Sequence, residues 1–173
     1  STILTIAIAC HLPGGSSQAS TLWKDDLDRI SRCVPTLYAN SQAQFDVIRF
    51  RLALLGTALQ GETLQGLHFA TLKAILGSNG MLHTFSGWGV GTERIGSAWR
   101  MAMREATSLG CDMLQANRVL AIITGQMGDI RVKESQVLEQ KILQHCCADC
   151  WCEVATSFGM VEQGQIAATL FLW

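Results

Sequence analysis

Charge is what this chain has least of. Only 16% of its residues are charged, against 49% apolar, and the formal net charge is −1. No basic run exists, so the electrostatic footprint needed to hold nucleic acid or an anionic membrane is missing, and neither is expected as a partner. No apolar run approaches the roughly 20 residues that span a bilayer. The opening STILTIAIACHLPGG superficially looks like a lipoprotein signal, since Cys10 follows small and apolar residues. It lacks a basic n-region, and its apolar run is short and β-branched, so it reads as a buried strand. A cytoplasmic protein is expected. With 173 residues the chain suits one core, or one core plus an appended segment. So much apolar sequence on so little charge implies surface that a partner covers.

A second CxxC pair is missing as well. Of seven cysteines, four crowd into HCCADCWC as Cys146, Cys147, Cys150 and Cys152. Thiolates at short spacing bind zinc or iron-sulfur centres. Adjacent Cys146 and Cys147 reach one ion poorly, however, and Cys150 and Cys152 fall where a strand should begin. The four are therefore read as small apolar core residues in a reducing compartment, with metal as the sharper alternative. No metal and no cofactor are expected.

What is present is organised around GMLHTFSGWGVGTERIGSAWRMAMR, Gly80 to Arg104. Its pattern changes from a period of two to one of about 3.6 across glycines 87, 89 and 91, which predicts a strand over 81–85, a glycine-rich turn, then a helix. Thr92 is the expected N-cap and Glu93 an acid in the first turn. Ile95, Ala98, Trp99, Ala102, Met103 and Ala106 form one apolar face, with Arg94, Arg100, Arg104 and Glu105 pointing away. Upstream, 2–9 reads as a buried strand, 11–20 as a loop, 22–33 as a helix closed by Pro35, and 36–39 as a short strand. Residues 45–60 are apolar nearly all round, which predicts a buried helix, and 67–76 a short second helix ending at Gly77. Downstream, 119–124 reads as a buried strand and 133–146 as a helix with Leu138, Ile142 and Cys146 on one face. Strands over 151–157 and 165–173 are expected as antiparallel neighbours. The second half is thus a β-α-β-α-β-β module.

The order of that module resembles the C-terminal domain of the tubulin/FtsZ family. The matching runs are LHFATLKAILGSNGMLHTFSGWGVG, the helix from Thr92, VLAIITG before a helix, and the closing strands. LTIAIA and LDRISRCVPTLYANS resemble the end of the family's nucleotide-binding half, and residues 45–65 its central helix. The resemblance implies an α/β fold: a mixed sheet packed by two helices over 66–173, preceded over 1–65 by a strand-helix-strand remnant and the buried central helix. The family's phosphate-binding loop and most of its nucleotide half would lie before Ser1. GWGVG does not replace them, lacking the third glycine of a dinucleotide fingerprint and any Gly-Lys-Ser/Thr.

In the family, an asparagine and two aspartates after the central helix complete the GTPase site of the neighbouring subunit. The corresponding positions here are Gly66, His68 and Thr71, around a matching Phe69 and Ala70. Phe45 matches an aromatic that stacks on guanine, but the amide and carboxylate expected beyond it appear as Arg49 and Phe50. Hydrolysis there needs a polarised water and a metal-phosphate cradle, so the resemblance implies no catalysis. It implies instead a non-catalytic protein that binds or caps an FtsZ-type filament, with homo-oligomerisation as a further option. Two alternatives remain open: an accessory or assembly protein of another bacterial complex, and a small-molecule enzyme with a site between subunits.

The expected partner surface is Leu67, His68, Phe69, Thr71 and Lys73, with Trp88 as an exposed aromatic anchor. Each has a plainer reading. Phe69 could be core at a helix start, and Trp88 could pack across a strand edge. His68 could act as a general base but has no obvious nucleophile or carboxylate beside it. His83 and His145 lack ligand spacing. Arg49 and Arg51, on a helix read as buried, need acids, and Asp25, Asp26 or Asp28 are the expected ones.

Overall fold

In the computed structural model, the described residues are 6–10, 35–39, 41–60, 64–76, 80–159 and 161–173. The start of the expected strand over 2–9, the loop over 11–20, the helix over 22–33 and the end at Gly77 lie outside them. Strands β1 (Ala7–Cys10) and β2 (Pro35–Ala39) precede helix α1 (Gln42–Gln60) and the short helix α2 (Phe69–Leu76). Then come β3 (Gly80–Val90), α3 (Arg94–Ser108), a 3-10 turn (Met113–Gln115), β4 (Arg118–Gly125), α4 (Val132–His145), β5 (Trp151–Phe158) and β6 (Gln165–Leu172). The β-α-β-α-β-β half is as the sequence pattern predicts.

The sheet order is β1-β2-β3-β6-β4-β5. β1, β2 and β3 are parallel, as are β4 and β5, while β6 runs antiparallel to both β3 and β4. β5 and β6 are therefore not neighbours, contrary to the sequence expectation, because β4 lies between them. The reason is burial. In β6, Ile166, Ala168, Leu170 and Phe171 are fully buried, which suits an interior strand. β5 carries half-exposed Trp151, Cys152 and Glu153 and lies at the edge.

β3 is the hinge of the topology. Its first residues pair with β2, ending at Leu82↔Leu37, and from His83 onward it pairs with β6. It runs straight through the expected glycine turn. Gly87 and Gly89 belong to the strand because α3 lies on them without intervening side chains. A Cβ on Gly87 would sit 2.0 Å from the Ala98 carbonyl oxygen, and one on Gly89 2.0 Å from that of Arg94. The turn comes later, at Gly91 with φ +76. The helix accordingly begins at Arg94, with Glu93 rather than Thr92 at the N-cap and no side-chain cap bond.

Helices cover both faces. On one, Ile95, Ala98, Trp99, Ala102 and Ala106 of α3 and Leu138, Ile142 and Cys146 near α4 pack on Phe85, Ala121, Ile123 and Leu170. On the other, Ile48, Leu54, Leu55 and Ala58 of α1 and Leu72 and Ile75 of α2 pack on Leu82, Leu120, Ile122, Ala155 and Phe171. α1 is not buried all round as expected: Val47 is 43% and Phe50 66% exposed.

Two charged residues correct the sequence reading. Arg94 points inward, its Nε 2.6 Å from Glu134 and its Nη atoms bonded to the Gly164 and Asp129 carbonyls. One guanidinium thus ties together the start of α3, the β4–α4 loop and the β5–β6 loop, and Glu134 holds its pKa above the usual value. Arg51 reaches across the edge of β3 to Glu105 at 2.8 Å, and the exposed Arg49 approaches Asp46 at 3.9 Å. Asp25, Asp26 and Asp28, the acids expected from the sequence, lie outside the described residues. Glu105, expected on the outer face, is drawn in by the same pair.

Candidate functional site: the loop before α2

The loop over 64–68 is fastened to the sheet and to the helices beside it. Gln65 acts as a one-residue strand on the open edge of β5: Thr156 N donates to its carbonyl at 2.8 Å, and Gln65 N donates to Thr156 Oγ1 at 2.9 Å. Leu67 N donates to the Ala58 carbonyl at 3.3 Å. The Leu67 side chain is buried with Leu72 and Ile75. Leu67 is therefore an internal anchor of the loop and is withdrawn from the expected contact surface. Arg118 holds the far end of α2 by donating to the Ala74 carbonyl at 2.8 Å.

This anchoring pushes the neighbouring residues out. His68, Phe69 and Lys73 are exposed and Thr71 half-buried, with Phe69 and Lys73 one helical turn apart on a shared face. Phe69 is 44% exposed, so it is not the core residue of the plainer reading; Leu64, which the sequence did not single out, adds 47% exposure on the same loop. The structure separates Trp88 from them. It is 52% exposed, but in register it aligns with Ala167, Thr124 and Ser157 across β6, β4 and β5. That places it roughly 14 Å from the β5 end of the row, at about 4.8 Å per strand.

His68 does have an acidic neighbour. Burial pushes the Glu153 carboxyl up, the Glu139 charge adds to this, and His68 opposes it. This trio leaves no local mark in the sequence, because β5 and α4 meet the loop only through the fold. The other histidines lie elsewhere: His83 at the start of β3, and His145 against Trp99 at 5.2 Å with its Nδ1 on the Lys141 carbonyl.

Cys146 and Cys150 are buried, as expected for core thiols. Burial raises the pKa values of Cys146 and Cys150, and pushes Cys152 up to about 12. Burial thus favours the neutral form of these three thiols. Among the described residues no group of His, Cys, Asp or Glu has metal-ligand geometry, and no helix is long and apolar enough to cross a membrane.

No family model and no curated protein matches the sequence. Solved structures do match. An FtsZ dimer from M. jannaschii superposes with a TM-score of 0.76 at 14% identity, over 98% of this chain and 54% of that one. The W319Y mutant of M. jannaschii FtsZ gives 0.79 at 17%, over 98% and 56%. CetZ2 from Haloferax volcanii, in a GTPγS-bound protofilament, gives 0.60 at 16%, over 98% and 54%. The chain spans about half the length of each. The order of its strands and helices, the helix-covered mixed sheet and these superpositions together establish that the chain has the tubulin/FtsZ fold.

Proposed function

We propose that this chain is a non-catalytic interaction protein on an FtsZ-type frame, and that it contacts a filament protein through the loop over 64–68 and the first turn of α2. The observation that carries this reading is Phe69, held 44% exposed on a loop whose neighbours Leu67 and Gln65 are pinned to the body of the protein. A large aromatic fixed in solvent on a rigid support is a typical interface anchor. The resemblance implies that the corresponding family loop faces the next subunit's nucleotide. Gly66, His68 and Thr71 supply no carboxylate for orienting water there, and Glu153 beside His68 is desolvated and raised. Such a loop suits docking without hydrolysis.

The expected behaviour is that of a cap: one chain occupies a filament end, in the cytoplasm, and does not accelerate GTP turnover across the contact. Self-association through the same loop is the second form of this reading. Titrating the chain into FtsZ with GTP tests it. Shortened filaments at substoichiometric ratios and no added hydrolysis per contact are expected. Micromolar GTP binding by the chain alone, measured by calorimetry, would sink the non-catalytic part.

A further inference from the structure

A cavity of about 440 Å³ lies between the end of β2, the N-terminal half of α1, the first half of β3 and the C-terminal end of α3. It exists because β3 changes partner. Past Leu82 the strand leaves β2 and pairs only with β6, so its other edge is open where α1 and α3 flank it. The edge is closed by side chains instead of a strand. Arg51 donates to the Thr84 carbonyl at 2.6 Å and to both Glu105 oxygens at 2.8 Å, while Glu105 accepts from Ser86 N at 2.8 Å. A guanidinium and a carboxylate thereby take the places of a neighbouring strand's donor and acceptor, and leave a hollow above them.

Leu37, Val47, Ile48, Leu82, Phe85 and Leu109 give the hollow an apolar lining. Among the described residues its charged pair, Arg51 and Glu105, is internally balanced, so an ionic ligand would find no free counter-charge among them. Thr84 is different. The residue is 7% exposed and lines the cavity, yet its Oγ1 has no hydrogen-bond partner. A buried hydroxyl left unpaired is costly, and a group entering the cavity can relieve it. The rings of His83 and Phe85, 6.4 Å apart and within 5° of parallel, add two aligned flat walls. Phe45, Arg49 and Phe50, the positions that the resemblance places against a nucleotide base, are not among the lining residues, so this is a separate place.

We propose that this cavity is a binding site for a small, neutral, flat and largely apolar molecule with one hydrogen-bonding group directed at Thr84 Oγ1. The site is independent of the loop before α2. Titration of the full chain with indole, followed by amide NMR, tests it: the ring is flat and its N–H can donate to the hydroxyl. Saturable shifts at Thr84, Phe85 and Leu109 are expected. Val47→Trp, at an exposed position on the rim, should fill the mouth and weaken binding at least tenfold while the protein remains folded. Thr84→Val should weaken indole several-fold and leave benzene unaffected. Non-saturating shifts, indole binding that survives Val47→Trp, or equal effects of Thr84→Val on indole and benzene would each overturn the proposal.

Discussion

The two faces of the sheet are built to different standards. Between the sheet and α3 the packing is tight. Gly87 and Gly89 let a helix lie directly on the strand, and the buried Arg94 is bonded to Glu134 and two carbonyls. Under α1 and α2 the core is interrupted by hydroxyls: Thr57 meets Ser157 at 2.6 Å and Ser86 meets Thr169 at 3.0 Å. Among the described residues, Thr84 Oγ1, Thr124 Oγ1 and Trp173 Nε1 are buried without partners on that face, against Ser135 on the other. The exposed Trp88 and Val90 lie on the looser face as well, and the cavity beside Thr84 opens at the sheet edge between the two.

Substitutions sharpen that contrast. Arg94→Ala should have the largest effect, on the order of 3–5 kcal/mol, because it leaves Glu134 buried without its cation; a denaturant melt reads it directly. Gly89→Ala forces a Cβ against backbone and should cost about 3 kcal/mol, with the strand–helix spacing unable to relax. The same glycine-to-alanine change at Gly56 in α1, where nothing lies within 4 Å, should stabilise by up to about 1 kcal/mol. Thr84→Val removes an unpaired hydroxyl and should stabilise the free protein by about 1 kcal/mol. If Thr84→Val destabilised instead, the looser face would be as well satisfied as the tighter one.

The smallest effect expected is pH-dependent. Because the folded Glu153 carboxyl lies above its ordinary value of 4.5, folding is penalised when the group is ionised and unpenalised when it is protonated in both states. Glu153→Gln should therefore raise the melting temperature at pH 7, and the gain should shrink as pH falls through the folded pKa and vanish below 4.5. A gain that persists at low pH would mean the charge is not its source.

Local pattern made much of this legible. The 3.6-residue period from Ile95 to Ala106 identified the buried face of α3, and VLAIIT identified β4, because burial repeats with the element's own period. What the pattern could not show depends on contacts between distant residues. Gly87 and Gly89 looked like a turn because glycine signals both freedom and close approach, and only the position of α3 decides which. β4 inserts between β5 and β6, and Arg51 finds Glu105 54 positions away, neither of which leaves a mark on nearby residues. In the candidate site, Phe69 and its neighbours were legible through a resemblance. Leu64, Gln65 and the Glu153–Glu139 pair were not, since they join the loop only when β5 and α4 arrive beside it. Leu67 and Trp88 were placed in one surface by sequence, and the fold buries the first and carries the second across the sheet.

The central claim, that the rigid loop before α2 offers Phe69 to a protein partner, is tested most directly by comparing wild type and Phe69→Ala in two assays on the same samples: affinity for FtsZ with GTP, and thermal melting. Loss of an anchor worth about 2 kcal/mol corresponds to roughly 30-fold weaker binding, with a melting temperature essentially unchanged because the side chain is 44% exposed. Undiminished binding, or a collapse in stability, would contradict the account.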